Sequence, residues 1–295
     1  VMMKNYTSYD LIEWGKPFEK SQHALPEPTL SEVLIRVTAA GLCHSDLHVQ
    51  KGYMDLGEEG RLTFAERGAQ LPMTFGHEIA GIVEAVGDKV KNVSIGQQVL
   101  VFPWIGCGDC LACNEDRESD CSAMRIIGLK QKGGFATHCL IENEKFLVNI
   151  DGLDAADVVP HACSGITVYN ALEKIGPLRD GEWLAVMGCG GLGLNAIAIA
   201  RAMGFDNIIG IDIDNSKLDA ARQMGASKTL NSKSANAVAD LQKFAESRLM
   251  AVIDTFGGES TGQLAVRTLA KAGQYLLVGQ AGGDFKMPQV WLPQK

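Results

Sequence analysis

The sequence predicts an α/β protein in two parts: an irregular, barrel-like β domain followed by a doubly wound parallel sheet. Three observations carry this. The first half holds short β-branched runs punctuated by glycine. The second half alternates apolar strand-like runs with helical periodicity. A glycine-rich sequence, Gly188-Cys189-Gly190-Gly191-Leu192-Gly193, sits between the first such strand and the first such helix.

In the first half, strands are expected at Glu32–Thr38, Gly81–Val86, Gln97–Phe102, Phe135–Ile141 and Phe146–Ile150, each bounded by Gly, Pro, Asn or Asp. Residues Met54–Gln70, rich in Gly and Glu, read as a surface excursion. In the second half, strands are expected at Trp183–Met187, Ile208–Ile211, Lys228–Leu230, Ala251–Asp254 and Tyr275–Val278. Helices are expected at Leu192–Met203, Ser216–Met224, Ala235–Ser247 and Thr261–Ala270. Strand–helix–strand alternation implies right-handed crossovers and a parallel sheet covered on both faces. The domains are expected to span 1–160 and 161–295, with a boundary between Asp151 and Thr167.

Composition narrows the function classes. With 295 residues, 46% hydrophobic and 21% charged, the chain can build two ordinary globular cores. A net charge of −8 argues against nucleic acid as a partner, since phosphate neutralisation needs a basic stripe. No apolar run approaches the ~20 residues of a membrane span. Residues Val1–Asp10 lack a signal-peptide architecture, so the expected location is cytoplasmic. Four of the eight cysteines lie within 15 residues, which in a chain of this size reads as a metal site rather than a disulfide framework.

The glycine-rich sequence predicts a dinucleotide site. Its glycines permit a tight turn, close approach of backbone to a pyrophosphate, and close helix–strand packing. The following helix offers free N–H groups and the positive end of its dipole. Asp212 ends the next strand, 24 residues past Gly188, where a carboxylate accepts ribose hydroxyls and repels a 2′-phosphate; this favours NAD over NADP. Lys217, one turn into the next helix, is a candidate ribose contact.

The spacing Cys107-x2-Cys110-x2-Cys113-x7-Cys121 can wrap four thiolates round one tetrahedral zinc, closed and therefore structural, in a lobe at about 104–123. An iron–sulfur cluster is the rival that spacing leaves open. The neighbouring Glu115, Asp116, Glu118 and Asp120 disfavour a nucleic-acid zinc ribbon. Elsewhere, Cys43-His44-Ser45-Asp46-Leu47-His48, Gly76-His77-Glu78 and His161-Ala162-Cys163 supply N and S donors. Each fragment alone is bland, because a single His or buried Cys is usually filler. Together they offer what a catalytic zinc needs, three N/S ligands and an open position.

These motifs carry a resemblance. Gly76-His77-Glu78-x2-Gly81-x5-Gly87-x2-Val90 resembles the signature of zinc-dependent alcohol dehydrogenases of the medium-chain dehydrogenase/reductase superfamily. Residues 43–48 and Cys163-Ser164-Gly165-Ile166-Thr167-Val168-Tyr169 are similar to segments of its yeast-type members, and the similarity runs from about residue 30 onward. The resemblance implies a GroES-like catalytic domain and a Rossmann NAD-binding domain. It also implies hydride transfer between an alcohol, or its aldehyde or ketone, and NAD(H).

By position, the resemblance assigns Cys43, His77 and Cys163 to the catalytic zinc. It makes Ser45 the hydroxyl that takes the substrate proton and His48 the end of the relay. Asp46 orients the His77 imidazole, and Glu78 is an acid behind the metal. His44 falls near the pyrophosphate, Thr167 and Leu192 beside the nicotinamide, and Val278 among the cofactor-binding residues with Gly188, Gly190, Gly191 and Gly193. Met54, where a bulky Trp stands in yeast-type members, and Trp104 are expected to line the substrate pocket. Two zinc ions per subunit and a homodimer or homotetramer are implied. Family chains run several tens of residues past this chain's last residue, so the second domain is expected to be incomplete. That departure favours one alternative, a catalytically disabled NAD(H)-binding relative acting as redox sensor or partner protein. The intact zinc and relay residues oppose it. A zinc hydrolase is argued against by the dinucleotide motif.

Overall fold

The computed structural model describes residues 4–294. Val1, Met2, Met3 and Lys295, at the outer bounds of the two expected domains, lie outside the described residues. The chain divides into two compact units. One holds the residues up to Met54 together with Leu62–Cys163; the other holds Asp55–Arg61 and the chain from Ser164 onward.

Up to Cys163 the chain contains, in order, β1 (Asn5–Leu11), β2 (Glu19–Ala24), β3 (Val33–Gly41), α1 (His44–Lys51), β4 (Tyr53–Asp55), β5 (Arg61–Thr63) and β6 (Met73–Thr74). It continues with β7 (Glu78–Val86), β8 (Gln98–Val101), β9 (Trp104–Ile105), α2 (Leu111–Asn114), β10 (Arg125–Ile126), β11 (His138–Ile141), β12 (Leu147–Asn149) and α3 (Ala155–Val158). The first unit's main sheet runs β11-β3-β7-β8-β12, antiparallel throughout. Period-two alternation puts Val33, Ile35, Ile79, Val83, Val99, Val101 and Ile141 into one core. The ladder between β3 and β7 shifts register twice, and such bulges bend a sheet toward barrel-like curvature. A second sheet, β2-β1-β6, joins this system where Tyr9 N–H donates to Phe135 O (2.8 Å) and Thr137 N–H to Thr7 O (2.8 Å).

The second unit contains α4 (Ser164–Ile175), β13 (Trp183–Met187), α5 (Gly191–Ala202), β14 (Ile208–Asp212), α6 (Asn215–Gln223), β15 (Lys228–Asn231), α7 (Ala237–Phe244), β16 (Leu249–Asp254), α8 (Glu259–Thr268), β17 (Gln274–Leu277) and α9 (Trp291–Gln294). The five strands form one parallel sheet in the order β15-β14-β13-β16-β17. β13 is buried along its whole length. Its Leu184 and Val186 pack with α4, α5 and α6, while Trp183, Ala185 and Met187 pack with α7 and α8. Both faces are therefore covered, as a doubly wound sheet requires.

Several elements differ from the sequence expectation. The Met54–Gln70 excursion is not plain loop: β4 and β5 pair as a two-stranded ribbon, and Phe64 is buried with Leu11, Val49 and Phe75. Within the second unit, the tip at Asp55–Arg61 is held by Glu58 N–H donating to Asp284 Oδ2 (2.9 Å) and by an ion pair from Lys286 to Glu58. The strand expected over Phe146–Ile150 is shortened to β12, because Glu144–Phe146 form a 3-10 turn capped by Asn143. Helices α1 and α4 and strands β1 and β2 appear where none was expected. No helix among the described residues is long and apolar enough to cross a membrane.

Candidate active site

Helix α1 sets the first donor. Cys43 is its N-cap, in extended conformation, and the Asp46 carboxylate accepts the Cys43 N–H at 2.9 Å, satisfying one of the helix's orphan donors. The other Asp46 oxygen lies 3.3 Å from His77 Nδ1. Asp46 is buried, so this carboxylate fixes both the sulfur-bearing residue and the imidazole. His77 immediately precedes β7, which begins at the buried Glu78. Cys163 follows the 3-10 turn Val159–Ala162, and its Sγ lies 3.9 Å from Cys43 Sγ. One donor atom from each of Cys43, His77, Glu78 and Cys163 falls within 4.8 Å of the others.

The four groups perturb one another. The Cys163 thiol, with help from His77 and Ser45, holds Cys43 down at about 3 against the opposing effect of burial. The same contact with Cys43, together with burial, raises Cys163. Burial opposes charge on His77, but Asp46 and Cys43 outweigh it and push the imidazole up to about 10. Burial and the adjacent Cys43 sulfur push Glu78 up to about 7. Two sulfurs, a ring nitrogen and a carboxylate in one half-buried group form a donor set that suits a divalent cation. Two thiolates each ~2.3 Å from a tetrahedral zinc lie ~3.8 Å apart, and the 3.9 Å separation of Cys43 and Cys163 fits that geometry.

Gly41 makes this arrangement possible. A Cβ there would fall 1.9 Å from Glu78 Oε2, so only glycine leaves room for the carboxylate beside the other donors. Nothing in the sequence singles out Gly41, because a glycine ending a β-branched strand two residues before Cys43 is too common a signal.

The second cluster brings Cys107, Cys110, Cys113 and Cys121 together, all sulfurs within 4.8 Å. Cys107 Sγ and Cys113 Sγ are 3.9 Å apart, and Cys107 N–H donates to Cys121 Sγ at 3.3 Å. Cys113 lies on α2, which is capped at Cys110, so one short turn delivers two of the four donors. Four sulfurs leave no corner for a substrate.

In the second unit the Gly188–Gly193 turn joins β13 to α5, with Gly190 as N-cap. Gly188 has φ +86°, and a Cβ on Gly193 would fall 1.8 Å from Gly188 O, so both positions require glycine. The buried Asp212 ends β14. Its carboxylate accepts from Cys189 N (2.7 Å), Ile213 N (2.8 Å) and Asp214 N (3.0 Å), which ties it to the glycine-rich turn.

The remaining candidates are placed as follows. Ser45 is exposed in the first turn of α1 and donates to the Cys43 sulfur. His48 is half-buried in the last turn, its ring 4.9 Å from that of the exposed His44. Thr167 is on α4, Leu192 on α5 and Lys217 on α6. Val278 follows β17, its N–H donating to Asp254 O at 2.9 Å. Met54 packs beside Leu11, Val49, Phe64 and Phe75, with Arg67 Nη1 3.2 Å from its sulfur. Trp104 sits edge-on to Phe102 at 5.7 Å. Met54 and Trp104 do not share a packing group.

Comparison with known proteins bears on this geometry. Residues 29–152 match the family described as alcohol dehydrogenase GroES-like domain, and residues 191–295 match that described as zinc-binding dehydrogenase. An NAD-dependent alcohol dehydrogenase of Sulfurisphaera tokodaii is 39% identical over 279 residues, covering 94% of this chain and 79% of the relative. The chain belongs to the zinc-dependent alcohol dehydrogenase family. Another member, an NAD-dependent alcohol dehydrogenase of Saccharolobus solfataricus, is 38% identical over 93% of this chain and 78% of its own. Among solved structures, the alcohol dehydrogenase of Aeropyrum pernix superposes with a TM-score of 0.86 at 26% identity, covering 96% of this chain and 81% of that one. This alcohol dehydrogenase family member thus has a GroES-like β domain and a Rossmann-type sheet, each carrying one set of motifs.

Proposed function

We propose that the protein transfers hydride between an alcohol, or its aldehyde or ketone, and NAD(H). Cys43, His77 and Cys163 hold a catalytic zinc, and Cys107, Cys110, Cys113 and Cys121 hold a structural one. The observation that carries this is the convergence of three donors 34 to 120 residues apart in sequence, with Glu78, into one group within 4.8 Å. Relatives named as NAD-dependent alcohol dehydrogenases at 38% and 39% identity support the reaction class. When bound, zinc supplies a Lewis acid that makes a substrate hydroxyl easier to deprotonate, and NAD supplies the hydride acceptor.

The chain's own residues supply the rest. Asp46 accepts from His77 Nδ1, which leaves Nε2 as the lone-pair donor and fixes the ring plane. Ser45, beside Cys43, takes the substrate proton. His48, three residues on and so on the same face of α1, passes it to solvent. Burial, His44 and Lys51 hold His48 below its ordinary value, so at neutral pH it is uncharged and able to accept. Glu78, held close by the absence of a Cβ at Gly41, serves in ligand exchange. His44, Thr167, Leu192, Lys217 and Val278 contribute to cofactor binding, and Met54 and Trp104 to the substrate pocket. Asp212 favours NAD, because a 2′-phosphate at the ribose would meet its carboxylate. On the family resemblance the protein is a homodimer or homotetramer, and we place it in the cytoplasm.

The test is NADH formation across a panel of primary, secondary and cyclic alcohols, with NAD and NADP compared, for wild type and Cys43→Ala. Wild type turns over with NAD. The variant loses turnover and about one zinc per subunit, with the four-cysteine site still filled. Full activity in Cys43→Ala would remove the ligand assignment.

A further inference from the structure

We infer that Thr255 is a positioning residue for the dinucleotide: its hydroxyl holds the glycine-rich turn in the shape that receives the pyrophosphate. This rests on assigning residues 188–193 to NAD(H), as proposed above. Thr255 Oγ1 donates toward Gly188 O at 2.8 Å and Met187 O at 2.9 Å, and Thr255 N–H also donates to Met187 O at 2.9 Å. Met187 O therefore keeps a partner without the hydroxyl. Gly188 O has no other donor among the described residues.

The turn is built around that hydroxyl. A Cβ on Gly188 would lie 2.7 Å from Thr255 Oγ1, and one on Gly193 would lie 3.4 Å from it. The threonine thus occupies the space that the fingerprint glycines vacate. It also fixes the direction of the Gly188 carbonyl, and with it the opposite end of the Gly188–Cys189 peptide. Cys189 N–H points to Asp212 Oδ2 at 2.7 Å, so the same peptide is pinned at one end by Thr255 and at the other by the ribose-side carboxylate. Holding that peptide fixes where α5 begins, and with it the N–H groups of its first turn that would face an anion.

Thr255 is itself held from below. The fully buried Asp254 accepts Phe256 N–H (3.0 Å) and Gly257 N–H (2.8 Å) on Oδ1 and the Tyr275 hydroxyl (2.8 Å) on Oδ2. That network shapes the loop after β16 so that the Thr255 side chain meets β13's last carbonyls. Nothing in the sequence singles out Thr255, which lies 67 residues from Gly188.

Thr255→Val keeps the shape and removes the donor, while Thr255→Ser keeps the donor. NADH and ADP-ribose affinities are measured by fluorescence titration of the zinc-loaded protein, with adenosine, which has no phosphates, as the control ligand and the thermal midpoint alongside. Thr255→Val weakens NADH and ADP-ribose roughly tenfold, because the half-buried Gly188 carbonyl is no longer held and the turn relaxes from the shape that receives the pyrophosphate. It leaves adenosine and the thermal midpoint near wild type, and Thr255→Ser restores dinucleotide binding. Wild-type NADH affinity in Thr255→Val would overturn the inference. So would equal weakening of adenosine with a lowered midpoint, which would make Thr255 a purely structural residue. Absence of NADH binding by wild type would overturn the nucleotide assignment itself.

Discussion

Asp46→Asn is the perturbation that probes the proposed zinc site most sharply without touching one of its proposed ligands. The Asp46 carboxylate has two acceptor duties, Cys43 N–H at 2.9 Å and His77 Nδ1 at 3.3 Å, and the side chain is buried. An asparagine has one acceptor and one donor end. If its oxygen takes the Cys43 N–H, its amino group faces His77 Nδ1. The imidazole must then carry its proton on Nε2, the nitrogen assigned to zinc. If the amide is turned round, its amino group faces the Cys43 N–H instead, and the N-cap of α1 is lost at a cost of about 1 kcal/mol. Either way one buried contact fails, and the negative charge that raises His77 is gone. Changes to such outer groups weaken metal binding by about 10–100-fold, or about 1.4–2.8 kcal/mol. Zinc affinity is read by competition with a chromophoric chelator, which separates the weaker site from the four-cysteine site in one titration. One tight site is expected to be unchanged and one site weakened by that factor. Two sites of wild-type affinity in Asp46→Asn would show that Asp46 does not hold His77 for the metal.

Three further outcomes are expected. His48→Ala slows alcohol oxidation at neutral pH by about 10–100-fold, with partial recovery as pH rises and hydroxide replaces the relay; a pH–rate profile superimposable on wild type would remove His48 from the relay. Cys113→Ser, in the four-cysteine lobe, lowers zinc content by about one per subunit and lowers the thermal midpoint, while leaving the Cys43 site filled by metal analysis. Asp10→Asn tests a buried carboxylate outside the site. Burial pushes Asp10 up, but hydrogen bonds led by Thr74 Oγ1 (2.6 Å) and including His23 Nε2 (3.0 Å) outweigh it, so its folded value lies below its unfolded value of ~3.9. The stability it contributes is therefore present above that unfolded value and is lost as pH falls through the folded one. The variant is less stable by about 1–3 kcal/mol at neutral pH, and the gap to wild type narrows below about pH 4 in denaturant unfolding series.

The parallel sheet was legible because its strands are buried on both faces and so read as continuous apolar runs. Trp183–Met187 is found where the sequence places it, and the other four strands agree within two residues at each end. The donor residues were legible as types and spacings, since few other roles need Cys-x2-Cys-x2-Cys-x7-Cys or a glycine before His77. Helix α1 was not, because it buries only Asp46 and Val49 and depends on the capping carboxylate at its start. Helix α4 has a clear apolar stripe at Val168, Ala171, Leu172 and Ile175, yet Gly165 and the β-branched Ile166, Thr167 and Val168 argue locally against helix. Packing of that stripe on β13 overrides the propensity. What sequence cannot give is contact between distant residues of ordinary type: Gly41 against Glu78, Thr255 against Gly188, and Asp10 with His23 and Thr74.

Anomalous diffraction at the zinc edge, from crystals of the protein grown with zinc, locates metal directly. A peak is expected ~2.3 Å from both Cys43 Sγ and Cys163 Sγ and ~2.0 Å from His77 Nε2. A map with zinc among Cys107, Cys110, Cys113 and Cys121 but none between Cys43, His77 and Cys163 would contradict that expectation.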